Sequence, residues 1–198
     1  GSGVDIKKFI PVEGTTGVPI IMLASRMLWD KGVGEFIDAA KILKQEGIRA
    51  RFVLVGKNDS ENPASIPKGQ LNEWHRSGVI EYWGEQTKMH EVLPKASIIC
   101  LPSYREGLPK VLLEAASCSR PIIATDVPGC REIVHEGENG ILVPLKDSSS
   151  LASAIKELIN NPEKRKSMGI NGRRLVESEF SEKIVVSQTL RVYQELLR

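Results

Sequence analysis

Two glutamates, Glu106 and Glu114, stand eight residues apart around the turn Gly107-Leu108-Pro109. An apolar run precedes this turn and a helical pattern follows it. The first carboxylate is therefore predicted to lie just before a helix, and the second two turns inside it. Unpaired N–H groups at a helix N-terminus bind phosphate, and carboxylates beside them accept hydrogen bonds from hydroxyl groups. The arrangement predicts a pocket for a nucleotide that carries a sugar.

Two basic residues, Arg26 and Lys31, flank a short turn after the first apolar run of the chain. A guanidinium and an ammonium that converge there could neutralise a diphosphate. Taken alone, they could equally be two solvated charges in a surface loop. Ligands of open parallel sheets bind beyond the carboxyl ends of the strands, where this turn is predicted to lie. We therefore interpret the two residues as part of a phosphate site.

Short apolar runs alternate with longer helical patterns along the whole chain. Strands are predicted over residues 19–24, 50–55, 79–83, 97–101, 121–124 and 140–143, and helices over 35–45, 70–76, 89–93, 109–118, 149–160, 162–180 and 181–198. Since the strand runs are continuous rather than alternating, they favour a parallel sheet that is covered on both faces. The repeated strand–helix order predicts an α/β fold with a doubly wound, Rossmann-like sheet of six strands.

The composition is that of an ordinary globular protein, with 198 residues, of which 41% are hydrophobic and 26% charged. A net charge of +2 argues against a dedicated nucleic-acid-binding protein. No apolar run approaches the roughly 18–20 residues of a membrane span, and no signal peptide opens the chain, so we expect a cytoplasmic location. Cys100, Cys118 and Cys130 are expected to be reduced thiols.

Several familiar catalytic patterns are missing from the sequence. His75, His90 and His135 lack metal-ligand spacing, and no Asp-x-Asp motif occurs that could hold a metal–diphosphate complex. We therefore expect no metal and no other cofactor, so that Arg26, Lys31 and helix N–H groups stabilise the leaving diphosphate. No Gly-x-Gly-x-x-Gly follows the first strand, which argues against a NAD-binding site.

Three motifs in separate loops agree with one known family. They are Ser25-Arg26 followed by Lys31-Gly32, Glu106-Gly107-Leu108-Pro109 followed by Glu114, and Pro-Ile-Ile-Ala-Thr-Asp-Val-Pro-Gly at residues 121–129. In identity and order they resemble the C-terminal, donor-binding domain of retaining GT-B glycosyltransferases, in particular family 4. The resemblance spans nearly the whole chain. It implies one half of a GT-B fold, most similar to enzymes that build bacterial surface polysaccharides and lipopolysaccharide.

Carried over residue by residue, the resemblance implies a donor site made by several loops. Arg26 and Lys31 hold the donor diphosphate and Glu106 contacts the sugar; these three are the expected catalytic residues. Glu114 binds the ribose. The other expected donor-binding positions are Gly107, Leu108, Pro109, Lys110, Gly56, Tyr82 and Trp83. The base is expected beside Tyr82 and Trp83, mainly through backbone contacts, and packing of Trp83 in the core is the alternative to its stacking on the base.

The resemblance also implies a reaction. The whole protein is expected to transfer a sugar, with retention and without metal, from a nucleotide-diphosphate sugar to a glycan or lipid-linked acceptor. Uridine diphosphate is the expected nucleotide, and peripheral association with the inner face of the membrane is possible. The acceptor site would lie on an N-terminal domain, so this chain alone should be inactive or nearly so. A binding-only nucleotide-sugar module and a GT-B-like nucleotide-sugar epimerase are the alternatives.

The chain is expected to divide into three parts. Residues 1–18 are interpreted as a cloning remnant followed by an interdomain linker, and residues 19–180 as the nucleotide-sugar-binding domain. Residues 181–198 are interpreted as a final helix that crosses to the N-terminal domain. Val185, Val186, Leu190, Tyr193 and Leu197 recur there at near-helical spacing. Without the other domain, part of this apolar face should be exposed.

Overall fold

The fold is built on one sheet of six parallel strands. A computed structural model describes residues 3–12 and 17–197. The strands are β1 Ile20–Ala24, β2 Arg51–Val55, β3 Glu81–Tyr82, β4 Ile98–Leu101, β5 Ile122–Thr125 and β6 Gly140–Val143. Their order in the sheet is β3-β2-β1-β4-β5-β6. Because the chain leaves the centre of the sheet first in one direction and then in the other, the predicted doubly wound topology is confirmed.

Eight α-helices connect and cover the strands in the described part of the chain. They are α1 Val33–Gln45, α2 Lys68–Arg76, α3 Met89–Val92, α4 Lys110–Ser117, α5 Pro128–Arg131, α6 Ser148–Asn160, α7 Pro162–Leu175 and α8 Glu182–Leu196. Short 3-10 turns cover Trp29–Lys31 and Leu93–Lys95, and a π-helical turn covers Val176–Phe180.

The sheet is buried on both faces. Ile21 and Leu23 of β1 lie in one apolar cluster with α1, α2 and α6. Met22, between them, lies in a second cluster with α4 on the opposite face. Successive side chains of a strand point to opposite faces, so a strand buried on both must be apolar throughout. This is why the strands appear in the sequence as continuous apolar runs.

Several predicted boundaries are wrong. The helix predicted from Pro109 begins at Lys110, because Pro109 has an extended backbone (φ −71°, ψ 106°) and caps the helix instead. The predicted strand 79–83 pairs with β2 only through Glu81 and Tyr82, at the edge of the sheet. The predicted helix 162–180 changes to a π-helical turn at Val176. The four-residue helix α5 was not predicted.

The N-terminal segment of the described chain contacts the residues at the start of α8. Val4 is fully buried and donates its N–H to the Phe180 carbonyl at 2.9 Å, and its own carbonyl accepts from Glu182 N at 3.1 Å. The Arg173 guanidinium also donates hydrogen bonds to the Ile6 and Phe9 carbonyls of this N-terminal segment. Three parts of the chain lie outside the described residues: residues 1–2 of the predicted remnant at 1–3, residues 13–16 of the predicted linker, and Arg198.

Helix α8 has no buried residue. Val186, Leu190 and Tyr193 are each more than half exposed, in agreement with the expected uncovered apolar face. They recur at three- and four-residue intervals and therefore share one side of the helix. Among the described helices, none combines the length and the apolar character needed to cross a bilayer.

All three cysteines are buried and unpaired. Burial raises the pKa of the Cys118 and Cys130 thiols to about 12 and raises that of Cys100 as well. The thiolate is the reactive form of cysteine. The three side chains therefore serve as small apolar groups in the core.

Candidate functional site

The loops that follow β1 and β4 meet at the carboxyl edge of the sheet, because these two strands are neighbours. There, Lys31 Nζ donates to Glu106 Oε1 at 2.8 Å. The lysine side chain is 19% exposed and the glutamate side chain 13%. The structure thus brings two of the three expected catalytic residues into one largely buried ion pair, although 75 residues separate them along the chain.

Tyr104 binds these two loops together. Its backbone N–H donates to the Asp30 carbonyl at 2.8 Å, next to Lys31. Its hydroxyl donates to Glu35 Oε1 on α1 at 2.7 Å, and Lys146 Nζ lies 4.8 Å from its ring centroid. Burial and the glutamate raise the pKa of Tyr104 to about 12, so the hydroxyl remains a donor at neutral pH. Sequence reasoning missed Tyr104 and Glu35, since nothing in their spacing suggests contact.

Helix α5 supports the loop that carries Glu106. A Cβ atom on Gly129 would lie 2.1 Å from the Gly107 carbonyl oxygen and 2.4 Å from that of Glu106. Only a glycine permits so close an approach of two backbones. Nearby, Thr125 Oγ1 donates to the Ser103 carbonyl. The start of α5 therefore holds the Glu106–Gly107 turn in place by backbone contact. The Pro-Gly of the third sequence motif, at residues 128–129, is the part of the sequence that forms this contact.

The start of α4 presents backbone donors. Within the described part of the chain, the N–H groups of Gly107, Leu108 and Lys110 have no acceptor, and Pro109 has no N–H to offer. A Cβ atom on Gly107 would meet nothing within 4 Å. The turn is therefore open on the side that faces away from α5. Free N–H groups at a helix start favour an anion.

Glu114 lies one turn inside α4. Its side chain is 14% exposed, and Lys110 Nζ, one turn back, is 4.0 Å from its Oε1. Burial raises the pKa of Glu114, and Lys110 and Lys8 offset this only in part. The orientation agrees with the expected lean toward the helix start. A buried carboxylate whose charge is only partly balanced by nearby cations is a good acceptor for hydroxyl donors.

Arg26 is not part of the Lys31–Glu106 pair. Its guanidinium donates to Asp59 Oδ2 at 3.3 Å, and its side chain is 57% exposed. Asp59 lies on the loop after β2. Each basic side chain is thus directed at its own carboxylate, and the convergence of Arg26 and Lys31 on a diphosphate stays a prediction.

Gly56, Tyr82 and Trp83 lie together at the ends of β2 and β3. Gly56 has φ +144°, and a Cβ atom there would lie 1.7 Å from the Ser25 carbonyl oxygen. Its N–H donates to Gly84 O at 2.8 Å, and its carbonyl accepts from the Tyr82 hydroxyl at 2.9 Å. Glycine is therefore required where the first two loops touch.

The side chain of Trp83 contacts other residues of the protein through both its N–H group and its ring. Its Nε1–H donates to Glu81 Oε2 at 3.0 Å, and its ring packs against the apolar cluster that contains α4. Core packing, the alternative to base stacking, agrees with this geometry. Beside Tyr82, a cavity of about 710 Å³ opens at the carboxyl edge of the sheet, where Lys57, Asn58 and Glu85 also line it.

No group of three or more metal-ligating side chains occurs among the residues that the structure describes. The polar groups of the site are instead the Lys31–Glu106 pair, Glu114, Arg26 and the N–H groups at the start of α4. Chemically, this set can neutralise an anion and accept hydrogen bonds from hydroxyl groups.

Comparison with known proteins gives one consistent family. The family described as "Glycosyl transferases group 1" matches residues 5–175. The chain is similar to the N,N'-diacetylbacillosaminyl-diphospho-undecaprenol alpha-1,3-N-acetylgalactosaminyltransferase of Campylobacter jejuni, with 31% identity over 209 aligned positions that cover 99% of this chain and 53% of the relative.

Two solved structures resemble the fold closely. The sucrose-phosphate synthase of Thermosynechococcus elongatus superposes with a TM-score of 0.87 at 25% identity over 99% of this chain and 51% of that one. The Anabaena protein Alr3699/HepE, in complex with UDP, superposes with a TM-score of 0.82 at 22% identity over 98% of this chain and 55% of that one. The chain therefore spans about half the length of these relatives.

Proposed function

Because the chain belongs to the glycosyl transferases group 1 family, we propose that it is the donor-binding half of a glycosyltransferase. The fold supports this proposal, since it corresponds to one half of a two-domain GT-B enzyme. The observation that carries the proposal is the largely buried Lys31–Glu106 ion pair at the carboxyl edge of the sheet. A cation and an anion at this edge are the groups needed for a diphosphate and for sugar hydroxyls.

Lys31 is the principal diphosphate ligand in this proposal. When a nucleotide diphosphate enters, its oxygens compete with Glu106 for the lysine ammonium, and the free N–H groups of Gly107, Leu108 and Lys110 add donors. Arg26, already near the second loop, can turn from Asp59 to the same anion because its side chain is exposed. These groups stabilise the negative charge that develops on the leaving diphosphate.

Glu106 is then free to bind the sugar, and Glu114 binds the ribose. A carboxylate accepts from two hydroxyls at once, which suits the paired hydroxyls of a ribose ring. Gly107 leaves room for the close approach of the sugar, since a Cβ atom there meets no protein atom. The base would occupy the cavity beside Tyr82. In this proposal transfer proceeds with retention and without metal.

A uridine nucleotide is the proposed donor component. The UDP complex of Alr3699/HepE, which shares the fold, supports it. A glycan or lipid-linked acceptor is supported by the name of the Campylobacter relative, whose acceptor is a diphospho-undecaprenol sugar. The acceptor would bind to the part of the enzyme that lies beyond this chain. Peripheral association with the inner face of the membrane belongs to the same proposal.

Titration calorimetry tests the donor site. UDP, GDP and ADP are titrated into the wild-type chain and into Glu114→Gln, with Glu163→Gln as a control because Glu163 is exposed on α7, away from the site. We expect UDP to bind most tightly. Loss of a charge-assisted hydrogen bond should weaken binding in Glu114→Gln by about tenfold or more, while the control binds normally. Failure of all three nucleotides to bind would contradict a donor site.

Transfer itself is tested in the whole enzyme. A polypeptide that includes this chain and an acceptor-binding domain should release UDP when donor and acceptor are both present. Nucleotide-sugar binding without transfer or hydrolysis would favour a binding-only module. Conversion of the donor sugar to its epimer would favour an epimerase.

A further inference from the structure

A second cavity lies at the opposite edge of the sheet. It has a volume of about 620 Å³ and opens between residues 11–12, the turn at residues 119–121 and the first turns of α7. Ser97, just before β4, and Pro121, just before β5, line it. These residues precede their strands, whereas the candidate donor site follows the carboxyl ends. The two pockets are therefore separate.

Arg120 is the unusual residue of this cavity. It is only 6% exposed, and its Nε–H is buried without a hydrogen-bond partner. One terminal nitrogen donates to the Val12 carbonyl, which is a neutral acceptor. Among the described residues, no carboxylate forms an ion pair with it. A buried cation without a counter-charge destabilises a fold, so an anion is missing among the residues that the structure describes around Arg120.

Two further cations line the cavity. Arg165 donates to the carbonyls of Leu158 and Ile159 at 2.7 and 3.2 Å, at the end of α6, and burial lowers its pKa. Lys166 is the next residue of α7. Neither forms an ion pair with a described residue, and the described lining of the cavity contains no aspartate or glutamate. By contrast, the neighbouring Lys164 points elsewhere and pairs with Glu157 at 2.6 Å.

We propose that this cavity is a second anion site, which binds a phosphate group. Arg120 would place its guanidinium charge beside the phosphate group, and Lys166 would bind a phosphate oxygen from the rim. A guanidinium matches the oxygens of phosphate in geometry as well as charge. The phosphate belongs to a free phosphomonoester or to an anionic lipid headgroup.

The Nε–H resonance of Arg120 gives a test, since that nitrogen forms no hydrogen bond with a described residue. Inorganic phosphate is titrated into the ¹⁵N-labelled chain at about 0.1 M salt, and the resonance is assigned by its loss in Arg120→Lys. We expect a saturable shift. Lys166→Ala should weaken the affinity by about tenfold. Lys164→Ala, a matched change on the same helix, should leave it unchanged.

Three results would overturn the proposal. One is the absence of a saturable shift at Arg120. Another is an equal effect of the two lysine variants, which would indicate a diffuse basic surface. The third concerns Glu13, which lies outside the described residues but follows Val12 in sequence. If phosphate binds only to Glu13→Gln, the anion of this site is the protein's own carboxylate.

Vesicles distinguish the source of the phosphate. Phosphatidylcholine vesicles with and without phosphatidic acid are sedimented with the wild-type chain, Lys166→Ala and Lys164→Ala. Co-sedimentation that needs phosphatidic acid and Lys166 assigns the site to a lipid headgroup. Saturable binding of inorganic phosphate without such co-sedimentation assigns it to a soluble phosphate compound. Because the readout lies far from Lys31 and Glu106, its failure does not affect the donor-site proposal.

Discussion

Glu114 shows how a binding site can reduce the stability of the fold that carries it. Its carboxylate is largely buried, and the nearest cation, Lys110 Nζ, is 4.0 Å away. Burial therefore raises the pKa of the side chain. A raised pKa means that the folded state binds its proton more tightly than the unfolded state does, so ionisation at neutral pH destabilises the fold. The ribose hydroxyls of a ligand would supply the missing donors.

Replacing Glu114 by glutamine should consequently stabilise the ligand-free chain. The gain is expected at pH 7, where a glutamate of the unfolded chain is ionised, and should disappear as the pH falls below the pKa of that unfolded-state glutamate. There, both states of the wild type are protonated. Urea denaturation of both proteins between pH 4 and 8 measures the difference in the free energy of unfolding. A variant that is less stable than the wild type at pH 7 would contradict the assignment of Glu114 as a poorly compensated charge.

Tyr104→Phe should weaken the junction between the loops after β1 and β4. The variant keeps the backbone hydrogen bond to Asp30 but loses the hydroxyl bond to Glu35. A hydrogen bond to a charged group contributes about 1.5 kcal/mol at the low end of its range, so Tm should fall by roughly 3–6 °C. UDP affinity should fall with it, because Lys31 lies on the loosened loop.

The control for Tyr104→Phe is Tyr193→Phe, at a tyrosine that is 62% exposed on α8. Its thermal transition and its calorimetric affinity for UDP should match those of the wild type. Equal effects of the two variants would show that Tyr104 does not position the site.

At the scale of structural elements, helices α4 and α5 contribute differently to the Glu106–Gly107 turn. Helix α4 offers free N–H groups on the open side of the turn, and α5 supports the turn from behind through Gly129. The two glycines therefore have different roles. Gly129 is required by the protein, since its Cβ position is occupied by backbone. Gly107 has free space around it, so the ligand-free fold does not explain its presence.

Alanine substitutions at these glycines should separate stability from binding. Gly129→Ala is expected to lower the free energy of unfolding by about 1–3 kcal/mol through overpacking and to abolish UDP binding. Gly107→Ala should leave Tm nearly unchanged while it weakens binding of the UDP-sugar by about tenfold. Calorimetry and thermal denaturation give the two quantities.

Gly69→Ala serves as the control for both glycine variants. Gly69 lies in α2, and a Cβ atom there meets nothing within 4 Å. Alanine should be neutral or slightly stabilising at this helical position. A Gly107→Ala variant that binds the UDP-sugar normally would show that the sugar does not approach this turn.

For the molecule as a whole, the sheet could be predicted because burial on both faces leaves a strong local signal. Runs such as Ile98–Leu101 are typical of covered strands, and their alternation with helices along the chain indicates a doubly wound sheet. The Lys31–Glu106 contact is consistent with that topology, since both residues lie on loops that follow neighbouring strands. The separate pairing of Arg26 with Asp59 could not be predicted, because the position of a loop depends on packing.

Contacts between distant side chains were also beyond prediction. Tyr104 and Glu35 are 69 residues apart, and nothing in the sequence around either residue indicates that the two side chains form a hydrogen bond. The support from α5 was missed, although its Pro-Gly was visible in the sequence. The roles of the individual donor-site residues stay predictions until the variants described above are measured.

The exposed face of α8 should make this chain self-associate at high concentration. Val186, Leu190 and Tyr193 form an apolar stripe without a cover. Leu190→Gln should weaken the association by about tenfold or more, since burial of a leucine contributes about 1.5–3 kcal/mol. Sedimentation velocity measures the effect.

Val192→Gln is the matched control for the α8 stripe, because Val192 is 54% exposed, close to the 56% of Leu190, but lies off the stripe. It should associate like the wild type. A wild-type chain that remains monomeric at high concentration would contradict the prediction.

The Lys31–Glu106 ion pair also bears on the design of inhibitors. In the empty pocket the two charges already neutralise each other, so a bare pyrophosphate mimic must take the lysine from its partner. It would then leave a carboxylate that is 13% exposed without a donor, which opposes binding. A compound that joins an anionic group to a polyol gives Lys31 a new anionic partner and gives Glu106 new hydroxyl donors. Fragments that imitate only the diphosphate or only the sugar are therefore poor starting points. Linking the two should give a binding free energy more favourable than the sum of those of the separate fragments.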